Sequence, residues 1–169
     1  TAIFDRNGVK GTWYAHASVG CLHVRPVLNM KQVGGAETMR AIAEEAFELV
    51  RSFGGSHSGE HGDGIVRSEF NDRMFGPVLP DLFRQVKAMF DPQGMFNPGK
   101  VIDAPKMDDR SLVRVAPGDR IEDRATILDW ADWPGRAGGF QGAVEMCNNN
   151  GACRKLEGGV TVSYTHLRA

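Results

Sequence analysis

The stretch Gly11-Thr12-Trp13-Tyr14-Ala15-His16-Ala17-Ser18, followed across Val19-Gly20 by Cys21-Leu22-His23-Val24-Arg25-Pro26-Val27-Leu28, decides the fold class. The first half is rich in aromatic and β-compatible residues, and the second alternates roughly in polarity, so residues 11–29 read as two strands. Gly20 between them suits a bend or bulge. The two histidines lie seven apart. On one unbroken strand such residues face opposite sides, so they converge only if the chain turns between them, and Ser18-Val19-Gly20 offers the place.

Outward from this hairpin the periodicity becomes helical. Ala36, Met39, Ala43, Ala46, Phe47 and Val50 recur at three- and four-residue steps, predicting a helix over 35–53 with Gly54-Gly55 as its stop and Glu44, Glu45, Glu48 and Arg51 on its wet side. A second helix is predicted from Pro80 to Phe90, with Leu82, Phe83, Val86 and Phe90 as its apolar stripe. Asp91-Pro92-Gln93-Gly94 ends it, and Asn97-Pro98-Gly99-Lys100 is another turn. From about residue 103 apolar residues become sparse, which suits a linker or a loosely packed extension. A short helix is predicted over Phe140–Met146. Strands followed by helices predict an α+β domain, an antiparallel sheet with helices on one face, plus an irregular C-terminal extension.

Composition narrows the function classes. The chain has 169 residues, 41% of them apolar and 24% charged, with a formal net charge of -1. That suffices for one domain with a real core. It argues against disorder and against a general nucleic-acid binder. No stretch approaches the roughly 20 apolar residues of a membrane helix. Three cysteines, with Cys147 and Cys153 close together, favour a reducing compartment with free or metal-bound thiols over a disulfide framework. The expected location is the cytoplasm, including a peripheral place at the inner face of the membrane. The opening Thr1-Ala2-Ile3-Phe4 has no initiator Met and no leader pattern, so the expectation is a piece of something longer.

The residues able to carry chemistry cluster. His16, His23 and Glu60-His61 put three of the five histidines and a carboxylate in two glycine-flanked stretches. Imidazole and carboxylate are the usual ligands of zinc and similar divalent ions. The H-x6-H spacing is not itself a metal signature, and a histidine on a strand is ordinarily a satisfied polar residue. In an extended loop the neighbours Glu60 and His61 point different ways, so one is able to bind a metal while the other faces a substrate. Arg25 shares a strand face with His23, and its guanidinium fork matches a carboxylate; a plain surface arginine is the alternative. His57 has no assigned role and reads as a solvent-exposed loop residue. Cys147-Asn148-Asn149-Asn150-Gly151-Ala152-Cys153 suggests iron–sulfur ligation, but the middle position of C-x2-C-x2-C holds Asn150, leaving the site incomplete. Gly62-x-Gly64 is not a dinucleotide fingerprint, and no P-loop is present.

Three motifs in order resemble those of the C-terminal domain of FAD-linked oxidases: Tyr14 to Pro26, Ser58-Gly59-Glu60-His61-Gly62-Asp63-Gly64, and Phe90-Asp91-Pro92 through Lys100. The resemblance covers residues 1–102. It implies a roughly ferredoxin-like architecture and relatives among FAD and iron–sulfur D-2-hydroxyacid dehydrogenases of the D-2-hydroxyglutarate, D-lactate and glycolate oxidase-like types. It implies His16, His23 and Glu60 as ligands of a divalent metal, zinc or manganese, and His61 as the catalytic base. Arg25 becomes a substrate contact, and Asn97 and Lys100 approach the flavin. The implied reaction oxidises a small 2-hydroxyacid by proton abstraction and hydride transfer to FAD, with electrons passing to a 4Fe-4S module.

Departures from the family pattern are also expected. The flavin's own upstream domain is missing, so the chain alone is not expected to hold FAD tightly. Residues 103–161 resemble a linker and the start of an iron–sulfur module. The family's further cysteine followed by proline is missing after Cys153. Residues 162–169 read as an artefactual tail, in which His166 carries no function. Two other classes remain open: a flavin-independent divalent-metal hydrolase, and a non-catalytic electron-transfer docking segment around Cys147 and Cys153.

Overall fold

The structure, a computed structural model, describes residues 2–113, 116–118, 125–132 and 139–145. The chain divides into two units, Thr1–Asp119 and Arg120–Ala169. The first is α+β, as expected. It opens with a short helix, α1 (Ala2–Arg6), then β1 (Gly11–His16) and β2 (Cys21–Pro26), then α2 (Gly35–Ser52), α3 (Asn71–Phe75) and α4 (Val78–Phe90). The sheet among the described residues is the two-stranded antiparallel hairpin β1-β2.

The hairpin register places Tyr14 opposite His23 and His16 opposite Cys21. Because side chains alternate along a strand, Tyr14, His16, Cys21, His23 and Arg25 all stand on one face. The reversal is a 3-10 turn, Ala17–Val19, closed by Gly20 in the left-handed region at φ 67°. Glycine reaches that region without the steric penalty a side chain brings. Residues expected as strand at 17, 18, 27 and 28 lie outside it: the first two make the turn, and the last two follow the hairpin.

Helix α2 ends as its sequence suggests. The Gly54 amide donates to the Arg51 carbonyl and the Gly55 amide to the Val50 carbonyl, both at 2.9 Å, the paired bonds of a Schellman stop. Its buried face runs through Ala36, Ile42 and Phe47, whereas Ala46, expected inside, is exposed. With Phe4 and Phe70 these residues form the core. Phe47 and Phe70 pack at 4.9 Å between ring centroids, and Phe4 meets Trp13 at 5.1 Å. The guanidinium of Arg73 lies 4.6 Å over the Phe47 ring and is held there by Glu44 and Glu48.

Two expectations change. The stripe of α4 is covered only in part: Phe83 meets Phe75 of α3 edge-on at 6.1 Å, whereas Leu82, Val86 and Phe90 are exposed. Just beyond residue 102 the described residues 107–110 are tied to the body of the first unit. Arg40 on α2 binds both carboxylate oxygens of Glu69 at 2.7 Å and reaches Asp108 at 2.7 Å. The Met107 amide donates to Glu69 at 2.7 Å, and Arg110 donates to the Met30 and Gln32 carbonyls. Burial works against the charge on Arg40, but its carboxylate partners outweigh it and hold the guanidinium pKa above its ordinary value. These contacts bind residues 107–110 to the body of the first unit despite their polar surroundings, and that unit runs to Asp119.

In the second unit a helix, α5 (Gly139–Glu145), occupies the segment predicted as Phe140–Met146, and Phe140 meets Trp130 edge-on at 5.6 Å. Cys147 and Cys153, the candidate iron–sulfur residues, lie outside the described residues. No described helix is long and apolar enough to cross a membrane.

Candidate metal and substrate site

The site forms where the loop after α2 crosses the hairpin face. His16 and His23 are diagonal neighbours across the two strands, with ring centroids 4.9 Å apart and nearly perpendicular. Glu60 reaches both: its carboxylate lies 3.4 Å from His16 Nε2 and 3.0 Å from His23 Nε2. One ligand atom from each of the three falls within 4.8 Å of the others.

The approach depends on Gly59, which sits directly on Cys21, the partner of His16 in the hairpin register. A side chain at 59 would meet the Cys21 sulfur, so that sulfur or the loop carrying Glu60 has to give way.

His61 departs from expectation. Residues 57 and 59–61 form successive bends rather than an extended strand, so Glu60 and His61 do not diverge. His61 Nε2 lies 2.9 Å from the same Glu60 oxygen that faces His23. The cluster is therefore graded: His23 is the most enclosed, with its side chain 10% exposed, whereas Glu60 is 37%, His16 51% and His61 59% exposed. One side is sealed by protein and the other opens to a ligand.

The donor set fits a divalent cation. Metal–ligand bonds near 2.1 Å in a tetrahedral arrangement put ligand atoms about 3.4 Å apart, close to the two carboxylate–imidazole distances here. His23 Nε2 is buried and makes no hydrogen bond, even though Glu60 is near, because the geometry does not align a ring N–H with that oxygen. A buried nitrogen without a partner is destabilising, and a cation at the shared centre would give it one.

Arg25 extends this face. Its guanidinium lies 5.0 Å over the Tyr14 ring, and Tyr14 stacks on His23 at 4.2 Å with planes 9° apart. Arg25 is exposed and free to meet an anion beside the cluster. Tyr14 was missed as a contributor, although its place opposite His23 follows from the hairpin register. Asn97 and Lys100 are not in the cluster. They pair with each other at 3.2 Å in the exposed turn after α4. The connection to the loop runs through Val101, whose backbone is left-handed at φ 70°. Its amide donates to Ser68 Oγ at 2.9 Å, and its carbonyl accepts from Asn71 Nδ2 at 2.9 Å. Ser68 in turn bonds the Gly64 carbonyl, and Asn71 bonds Asp63, so both anchors also hold the end of the glycine-rich loop.

Residues 1–101 match the family described as FAD linked oxidases, C-terminal domain. The chain belongs to this family. Among curated proteins, it is 36% identical over 155 residues to a D-2-hydroxyglutarate dehydrogenase of Pseudomonas putida and 35% over 157 residues to one of Escherichia coli, each match covering 90% of this chain and 14% of the relative. A D-lactate dehydrogenase of Archaeoglobus fulgidus is 35% identical over 100 residues, 59% of this chain and 22% of the relative. The chain thus spans about a seventh of the D-2-hydroxyglutarate dehydrogenases it matches. No solved structure matches. Membership ties this domain to FAD-linked oxidoreductases.

Proposed function

We propose that this domain is the substrate-holding part of an FAD-dependent D-2-hydroxyacid dehydrogenase of the D-lactate or D-2-hydroxyglutarate type. The observation that carries the reading is the convergence of His16, His23, Glu60 and His61, at 2.9 to 3.4 Å around one carboxylate, in a member of an FAD-linked family.

His16, His23 and Glu60 hold a divalent cation, zinc or manganese. Bound there, the cation supplies Lewis-acid polarisation of the substrate hydroxyl and carboxylate, while flavin supplies the acceptor for the Cα hydride. His61, on the exposed side, takes the hydroxyl proton at Nε2, the nitrogen turned toward the cluster. Arg25 clamps a substrate carboxylate with its fork, held in place by Tyr14. Asn97 and Lys100 face the flavin. Cys147 and Cys153 contribute to an iron–sulfur module that carries the electrons onward.

The test joins this domain to a flavin-binding partner domain and follows dye reduction with D-lactate and D-2-hydroxyglutarate. His61→Ala is expected to lower turnover about 10²–10⁴-fold while leaving zinc affinity near wild type. Full turnover in that variant removes His61 as the base, and zinc binding that survives Glu60→Gln unchanged removes the metal centre.

A further inference from the structure

His57 stands in the same loop as Glu60 and His61, and the site just described does not use it. Rather than the solvent-exposed position expected for it, it has a side chain only 8% exposed. Its ring is enclosed by Phe47 at 5.5 Å and Phe70 at 5.8 Å. Its Nε2 lies 3.1 Å from the Arg67 carbonyl oxygen. A carbonyl only accepts, so Nε2 carries the hydrogen and Nδ1 is left as a lone pair. That Nδ1 is buried and has no partner.

The arrangement is a poor one for packing alone. A phenylalanine would fill the aromatic pocket without leaving a buried nitrogen unsatisfied. What histidine adds is the bond to Arg67, and that bond joins the two ends of the segment 57–67, which carries Glu60 and His61. Asp63, inside the same segment, lies 3.8 Å from His57 Nε2 and accepts from Asn71 Nδ2 at 3.3 Å, a second tie to the body of the domain.

We propose that His57 is a positioning residue: by bridging the aromatic core and the Arg67 carbonyl, it holds the loop in the bends that bring Glu60 onto His16 and His23. The functional consequence rests on the metal-site reading above. The loop's dependence on His57 does not.

The test compares His57→Phe and His57→Gln in the full chain. Phe keeps the aromatic packing and loses the donor. Gln keeps an amide donor within reach of the carbonyl and loses the aromatic ring. Zinc affinity is read by calorimetry, amide exchange over residues 58–66 by mass spectrometry, and Tm by circular dichroism. His57→Phe is expected to weaken zinc binding about 10–100-fold, the range for residues that orient a ligand, and to speed loop exchange while Tm changes little. His57→Gln is expected to keep affinity and exchange near wild type despite a lower Tm. A purely structural role predicts the opposite order, with affinity following Tm, and that result overturns the proposal, as does unchanged exchange in His57→Phe. If His57→Phe does not fold, His57→Met carries the same test. If the wild-type chain binds no zinc, the metal-site reading fails and loop exchange alone decides the role of His57.

Discussion

Gly59 and Cys21 touch so closely that a Cβ built on the glycine stands 2.6 Å from the cysteine sulfur. The contact is the point at which the loop bearing Glu60 rests on the strand bearing His23, so it sets the height of the carboxylate above the two imidazoles. Gly59→Ala is expected to cost about 1–3 kcal/mol through overpacking and to weaken zinc binding by displacing Glu60. Cys21→Ala, added to it, removes the obstructing sulfur and is expected to recover part of both losses. Urea denaturation and zinc calorimetry on the two single variants and the double variant check this.

On the proposed reading the cluster divides into three cation ligands and a base. His23→Ala and Glu60→Gln are each expected to lower zinc affinity by more than about a hundredfold, beyond the 10–100-fold that outer residues cost. His61→Ala is expected to change it far less, because the three residues that share a centre are His16, His23 and Glu60. Calorimetric titration of the full chain with zinc distinguishes the two groups.

Asp91 gives a dependence on acid. Its carboxylate accepts from Lys87 Nζ and from the Met95 and Phe96 amides, and the Lys87 bond first, then the amides, lower its pKa from 3.8 to about 2. A carboxylate with a depressed folded-state pKa adds stability above its unfolded value and loses it as pH falls toward the folded one. Wild type is therefore expected to be more stable than Asp91→Asn at pH 5, with the gap narrowing between about pH 4 and pH 2. Thermal melts of both proteins across that range measure the gap directly.

Arg40 ties Asp108 to the body of the first unit. Arg40→Met leaves Glu69 and Asp108 without their shared cation and is expected to cost about 1.5–3 kcal/mol, the range for a bond to a charged group. Amide exchange at Met107, whose N–H donates to Glu69, is expected to rise more than exchange within α2.

What could be read in advance was local. The hairpin, the Gly20 turn and the Gly54-Gly55 stop each depend on residues a few positions apart, and each formed where its spacing put it. On α2 the three- and four-residue steps pick out Ala36 and Phe47, which are buried, but include the exposed Ala46 and pass over the buried Ile42. Long-range packing was not legible. Nothing near His57 announces that Phe47 and Phe70 will enclose it, and nothing in the polar run after residue 102 announces Arg40. The α4 stripe has the right period for burial, but periodicity cannot supply the surface that would cover it. The direction of Glu60 relative to His61 depended on successive bends, whose dihedral angles follow no repeating pattern.

The two imidazoles share a hairpin, whereas the carboxylate comes from the loop beyond α2, so the three meet only when hairpin and helix are packed together. An ion gripped by all three would favour the assembled chain over any partly folded species that offers the imidazole pair alone. Cation affinity would then serve as a gauge of tertiary completeness, and a chelator would remove that share of the native state's stability.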